Sequence, residues 1–174
     1  MQNFEACKYT YLHRKAFLYT VNKIIKDEAL KEQLIKRAKT HDMDKMMSYL
    51  TMSKEDASRI HRRTAKHHME NNLPKTHIDY VEAVIDYECA GYTKPDKPLN
   101  AYDTINHYHP RDSIYLLTVC KVLGIDCSYS NVDDEDAKKY MRQFENVTEE
   151  DIYNEIKEYQ RFVIESAFDE DEEY

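Results

Sequence analysis

The chain has 174 residues, a formal net charge of −8, and only 2 glycines and 4 prolines. This length allows a buried core without disulfides, and the scarcity of turn-forming residues excludes most sheet folds in favour of an all-α fold. The negative charge argues against broad nucleic-acid binding, although it allows a small phosphorylated ligand.

No apolar run has the length of a membrane span, and the N-terminus lacks the pattern of a signal peptide. The four cysteines show no CxxC spacing, which is typical of reduced, mostly buried thiols. We therefore expect a cytoplasmic protein without membrane contact.

The first helix is predicted at about residues 5–26. Leu18, Val21 and Ile25 belong to an apolar stripe with steps of three and four residues. His13 lies along the edge of this stripe, so we expect it to face the interior. It could be either a core histidine or a metal ligand.

The second helix is predicted at about residues 28–42, with Asp27 as its cap. Ala38 and His41 share a face with leucines one and two turns earlier. The stripe therefore brings His41 to the interior, with Asp42 beside it. The alternative is a histidine near the helix C-terminus beside a solvated acid.

A third helix is predicted from the capping sequence that starts at Ser53 to about residue 70. His67 and His68 would then point about 100° apart, so at most one of them would be a primary ligand. His61, like the three later histidines, is predicted to be a surface or rim residue.

The fourth helix is predicted to begin after Thr76. Glu82 and Asp86 are four residues apart and stack on one side of it. A buried carboxylate without a partner is costly, so Asp86 needs a metal or a salt bridge to Arg14 or Lys45.

Gly91 is predicted to end the fourth helix, and a loop is predicted at Lys94–Pro98. Residues 126–132 are expected to be irregular, and the acidic residues 169–174 are expected to form a flexible tail. Further helices are predicted at about residues 100–108, 111–123, 133–145 and 149–168. These elements predict one domain over residues 1–168, a helical bundle of about seven or eight helices.

The order His13, then His41-Asp42, then Asp86 on a helical chain resembles the HD-domain superfamily of metal-dependent phosphohydrolases. The resemblance is closest to a small uncharacterised HD-like family of bacterial and phage genomes, and it covers a core at about residues 8–92. The residues that carry this closer resemblance are Arg14-Lys15, His41-Asp42-Met43-Asp44-Lys45, His67-His68 through Asn71-Asn72, and Glu82…Asp86-Tyr87…Ala90.

The resemblance implies a divalent metal ion (Mn, Fe, Co, Ni, Zn or Mg) that activates water for hydrolysis of a phosphate ester. The small phosphorylated substrate that we favour is a nucleotide. The implied metal ligands are His13, His41, Asp42 and Asp86, with His67 or His68 serving a second metal or the phosphate.

We assign further roles from residue type. Asp42 or Glu82 could accept a proton from water, and Lys45 could neutralise phosphate charge during catalysis. The residues predicted to bind substrate are Arg14, Lys15, His68 and Asn72.

Two other classes of function fit the same sequence. The chain could be a non-catalytic helical binding protein that keeps an HD-like core, such as an inhibitor or adaptor derived from a phage or mobile element. It could also be a structural protein that a metal merely stabilises. Metal content and turnover of phosphorylated substrates separate these classes from a hydrolase.

Overall fold

A computed structural model describes residues 1–94 and 99–171. All regular secondary structure in these two ranges is helical, which confirms the predicted fold class. The helices are α1 (Phe4–Ile24), α2 (Glu28–Thr40), α3 (Met43–Ser48), α4 (Lys54–Thr64), α5 (His77–Thr93), α6 (Ala101–Tyr108), α7 (Ser113–Leu123), a 3-10 turn (Asn131–Asp133), α8 (Glu135–Arg142) and α9 (Glu149–Asp171).

The predicted helix caps lie where the sequence indicates. The Asp27 carboxylate accepts a hydrogen bond from the backbone N–H of Leu30 at 2.8 Å, which satisfies one free donor at the start of α2. Ser53 begins α4 in the same way. Gly124 ends α7 with a φ of +74°, a left-handed conformation that glycine adopts without strain.

Two predicted helix ends are wrong, and both errors concern the candidate site. The second helix ends at Thr40, because Asp42 takes a left-handed backbone conformation and a separate helix, α3, follows it. The third predicted helix ends at Thr64 rather than at residue 70. His67 therefore lies in an irregular segment, not on a helix.

The predicted stop at Gly91 is also wrong, since α5 continues to Thr93. A Cβ atom at position 91 would lie 2.7 Å from Nδ2 of Asn131, so glycine permits a close approach of the 3-10 turn to α5. Helix α9 extends to Asp171, three residues into the predicted tail. The rest of that tail, 172–174, and most of the predicted Lys94–Pro98 loop lie outside the described residues.

Helices α1 and α5 form the centre of the larger core. Phe17 and Val21 of α1 are fully buried in the same cluster as Val84 and Ile85 of α5. Complete burial of a side chain of this size stabilises the fold by about 2 kcal/mol. This pairing sets the face of α5 that carries Glu82 and Asp86 beside the face of α1 that carries His13.

A smaller core joins the start of α1 to α3 and α9. Cys7 packs there with Met43 and Met46 of α3 and with Ile152 of α9. His13 lies along α1 between this cluster and the larger core. In the described part of the chain, no helix is both long and apolar enough to cross a membrane.

Candidate metal centre

Buried polar side chains from three helices and two connections converge in one cluster. His13 comes from α1, His61 from α4 and Asp86 from α5. His41 and Asp42 lie between α2 and α3, and His67 lies in the segment between α4 and α5. Each of the five histidine and aspartate side chains other than Asp86 is at least nine-tenths buried.

The left-handed backbone at Asp42 directs the side chains of His41 and Asp42 to the same cluster. Its φ of +57° is uncommon for a residue with a Cβ atom, although aspartate tolerates it better than most. Asp42 occupies the N-cap of α3, yet its side chain makes no capping hydrogen bond. Instead, its carboxylate faces the histidines, so the strained turn serves the cluster rather than the helix.

The first group of ligands contains the four residues that the HD resemblance implies. Oδ1 of Asp86 lies 2.7 Å from Nε2 of His13 and 3.4 Å from Nε2 of His41. Nε2 of His41 is 4.0 Å from Oδ1 of Asp42. His13, His41 and Asp42 each present a ligand atom within 4.8 Å of the other two.

A second group shares Asp42 with the first. Oδ1 of Asp42 lies 2.8 Å from Nε2 of His61 and 3.5 Å from Nε2 of His67. His68 completes this group, with all four ligand atoms within 4.8 Å of one another. Although His67 and His68 are adjacent in sequence, both belong to the same group because they lie in an irregular segment.

Four atoms of the cluster are buried and make no hydrogen bond to the described residues: Nε2 of His41, His61 and His67, and Oδ1 of Asp42. Two of them, Nε2 of His61 and Oδ1 of Asp42, are 2.8 Å apart, which is an ion-pair contact without hydrogen-bond geometry. Buried polar atoms are nearly always paired, so four adjacent exceptions need an explanation. Two ligands about 2.1 Å from one ion lie about 3.0 Å apart at right angles and about 4.2 Å apart on opposite sides. The observed separations of 2.7–4.0 Å are close to this range, and the residues therefore fit a metal ion.

Carboxylates behind the imidazoles orient them. Glu82 lies 3.0 Å from Nδ1 of His41 and 3.4 Å from Nδ1 of His67, and its other oxygen accepts a 2.6 Å hydrogen bond from Arg37. Asp44 lies 2.9 Å from Nδ1 of His61. A carboxylate that accepts the Nδ1 proton leaves Nε2 free as a metal ligand.

The contacts of Glu82 give it an orienting role beside the one predicted for it. Both of its oxygens are occupied by His41, His67 and Arg37, and it does not line the cavity that contains His13 and Asp86. Glu82 therefore orients the histidines. It lines a second cavity together with His41 and Asp42, and its role as a proton acceptor stays a prediction.

The charges of the cluster depend strongly on one another. Burial alone would lower the pKa of His41, but the carboxylates of Asp42, Asp86 and Glu82 outweigh it and raise that pKa to about 10. The pKa of His67 is raised in the same way to about 9. Burial would raise the pKa of Asp42, yet the neighbouring histidines hold it well below its usual range. The carboxylates thus favour the charged form of the imidazoles, and the imidazoles favour the charged form of the carboxylates.

A cavity of about 260 Å³ opens onto the cluster. His13, Asp42, His61, His68 and Asp86 lie among its walls. The remaining lining includes three cationic and three aromatic side chains, namely Lys45, Arg62, Lys94, Tyr9, Tyr87 and Tyr108. Nζ of Lys45 is 3.6 Å from Oδ2 of Asp42. The cavity therefore combines possible metal ligands with positive charge and aromatic rings.

Three residues predicted to bind substrate do not line this cavity. Arg14 is buried and donates hydrogen bonds to the backbone oxygen of His41 and, at 2.9 Å, to Glu155 of α9. Lys15 contacts Glu155 at 2.8 Å. Asn72 is exposed, and its side-chain oxygen accepts a hydrogen bond from Arg111. The partners of these three residues hold them away from this cavity, and their assignment to substrate binding stays a prediction.

The salt bridge considered for Asp86 also takes a different form, since its carboxylate contacts His13 and His41 rather than Arg14 or Lys45. His61, predicted to be a rim residue, is 1% exposed and belongs to the second ligand group. Its position four residues after Ala57, which is buried on the same face of α4, could have revealed this. The three later histidines, His77, His107 and His109, are exposed as predicted.

Comparison of the chain with protein-family models, with curated proteins and with solved structures found no match.

Proposed function

We propose that the protein is a metal-dependent phosphohydrolase of the HD type that acts on a small phosphate ester. One observation carries the proposal: the four buried ligand atoms without hydrogen-bond partners, which belong to His41, Asp42, His61 and His67. Leaving several polar atoms unpaired in a protein interior destabilises the fold, and a bound cation would remove that cost.

His13, His41, Asp42 and Asp86 would hold one divalent ion, and Asp42 with His61 and His67 would hold another. Imidazole and carboxylate ligands suit Mn, Fe, Co, Ni and Zn, while Mg prefers oxygen ligands. Such an ion supplies Lewis acidity, which activates water and neutralises charge on a phosphate.

The cationic residues of the cavity would bind the phosphate. Lys45 lies beside Asp42, and Arg62 and Lys94 line the same space. Their charges are suited to the equatorial oxygens of a phosphoryl group, on which negative charge concentrates during transfer. Arg14 and Lys15, which are also predicted to bind substrate, lie outside the lining of this cavity.

His68 is suited to move a proton at the cavity wall. Its Nδ1 lies 3.4 Å from Oε2 of Glu70, which favours a proton on Nδ1 and leaves Nε2 as an acceptor. His68 is less buried than His41 or His67 and lines the cavity. It would accept a proton from the attacking water or return one to the leaving oxygen.

The size and lining of the cavity favour a compact substrate with a planar ring. Its volume of about 260 Å³ lies below the range of about 300–1,000 Å³ that is usual for larger ligands. Tyr9, Tyr87 and Tyr108 offer aromatic surfaces on which a ring could stack. A nucleoside monophosphate or a similar monoester meets these conditions.

The test is hydrolysis of a panel of phosphate monoesters by protein that has been stripped with a chelator and reloaded with Mn²⁺, Co²⁺, Ni²⁺ or Mg²⁺. We expect no turnover by the stripped protein and turnover after reloading. Lys45→Met should raise KM for the phosphate ester, while Lys121→Met, which removes an exposed lysine of α7, should not. Metal binding without hydrolysis of any ester would reject the enzyme and favour a metal-stabilised binding or structural protein.

A further inference from the structure

The segment 65–76 between α4 and α5 carries His67 and His68 but forms no regular helix. Its backbone carbonyls therefore lack the partners that a helix would supply, and buried carbonyls need donors from elsewhere. Met69, which is 1% exposed, anchors the segment in the larger core. Two further side chains provide the missing donors.

Asn71 joins the end of α4 to the segment. Its Nδ2 donates hydrogen bonds to the backbone oxygens of Arg62 at 2.9 Å and Ala65 at 2.7 Å. Its Oδ1 accepts a hydrogen bond from the backbone N–H of Leu73 at 3.3 Å. The amide thus replaces helical hydrogen bonds at the point where α4 stops.

Lys75 closes the segment from the other side. Its Nζ donates to the backbone oxygens of Lys66 at 2.7 Å and His68 at 2.8 Å, and to Oδ1 of Asn71 at 3.0 Å. Three oxygens therefore surround one ammonium group, which has three N–H donors. The two backbone oxygens belong to residues on either side of His67.

We propose that Lys75 is a positioning residue. Its ammonium group binds three oxygens of the segment 65–76 and orders that segment, and this order places His67 and His68 in the ligand cluster. Lys75 lies outside the lining of the cavity, so it does not touch the substrate. The consequence for metal affinity depends on the proposed function, whereas the ordering of the segment does not.

The arrangement also indicates what could replace Lys75. Lys75→Ala would leave three converging oxygens and a space for a small cation. Methylammonium carries the same group as the lysine terminus and should fill that space. Lys75→Met would occupy it with an apolar chain and block this replacement.

The experiment measures the affinity of the full chain for Co²⁺ and the amide hydrogen exchange of residues 65–73. For Lys75→Ala, we expect Co²⁺ affinity to fall about 10- to 100-fold, as it does when groups that support metal ligands are lost. Exchange should accelerate in the segment but not in α1 or α5. Added methylammonium should restore both properties in Lys75→Ala and neither in Lys75→Met.

Lys121→Met is the matched control, because it removes an exposed lysine of α7 and should match the wild-type protein. Unchanged exchange of residues 65–73 in Lys75→Ala would overturn the inference, as would an equal change in Lys121→Met. If the wild-type protein binds no divalent ion, the proposed function fails. Exchange of the segment then still decides the role of Lys75.

Discussion

His13 and Arg14 are neighbours on α1, yet they belong to two regions that differ in whether their buried polar groups have partners. The ligand cluster around His13, His41 and Asp42 contains buried atoms that lack hydrogen-bond partners within the described residues. In the α9 clamp, formed by Arg14, Lys15 and Glu155, the charges are matched by direct contacts of 2.8 and 2.9 Å.

The difference separates a candidate binding site from a structural contact. In the α9 clamp, each charge has a partner from the chain, so nothing further is needed to stabilise it. In the ligand cluster, three imidazole nitrogens and a carboxylate oxygen are buried without a hydrogen bond from the described residues. Buried charge alone therefore does not identify a site, but unsatisfied atoms that converge do.

The largest expected effect is that of Asp42→Asn, since Asp42 belongs to both ligand groups. Loss of its charge should lower affinity for the divalent ion at least about 100-fold and abolish metal-dependent hydrolysis. Metal content after dialysis and isothermal titration check this expectation. Asp136→Asn, which changes an exposed aspartate of α8, is the control. Stoichiometric metal in Asp42→Asn would show that the cluster is not the site.

The reverse result is expected for Glu155→Gln in the α9 clamp. This change leaves Arg14 buried without a charged partner, so the free energy of unfolding should fall by about 3 kcal/mol. Metal content should stay equal to that of the wild-type protein. Urea denaturation and metal analysis on the same samples make the measurement. Loss of metal without loss of stability would reverse the assignment of the two regions.

A smaller effect is expected where a carboxylate only orients a ligand. Asp44→Asn should lower metal affinity about 10-fold, because His61 would keep its position but lose a charged partner at Nδ1. Calorimetric titration with Co²⁺ measures the change. Glu55→Gln, an exposed substitution on α4, should have no effect. An equal loss of metal affinity in both variants would contradict the orienting role of Asp44.

The smallest effect concerns the pH dependence of the α9 clamp. Burial would raise the pKa of Glu155, but Arg14 and Lys15 hold it below its usual value. The clamp therefore contributes fully above the unfolded-state pKa of about 4.3, and its contribution is lost as pH falls through the lower folded-state pKa. The stability difference between wild-type protein and Glu155→Gln should be constant near neutral pH and shrink below about pH 4. Urea denaturation across this range checks it, and a gap that widens in acid would contradict the assignment.

Helical periodicity indicated that His13, His41 and Asp86 face the interior, and the family resemblance implied that they are metal ligands. His13 and His41 follow apolar stripes, and Asp86 lies on a helix with apolar neighbours, so their inward direction can be deduced from sequence. The structure brings these residues together with Asp42. The identity of the family that they resemble stays a prediction.

Residues whose direction depends on distant parts of the chain could not be assigned in this way. Arg14 lies about 100° around α1 from His13, and nothing local indicates that Glu155 will meet it. The irregular segment at His67 arises from hydrogen bonds made by Asn71 and Lys75, which compete with the helix that propensity favours. The predicted helix therefore placed His67 and His68 on different faces, although both belong to one candidate ligand group.

The most direct test is an anomalous-scattering map from crystals grown with Mn²⁺ or Co²⁺. We expect an ion peak within about 2.3 Å of both Oδ1 of Asp42 and Nε2 of His41, which are 4.0 Å apart. A map with no peak there, or with ions only at surface carboxylates, would contradict the metal centre and the function proposed from it.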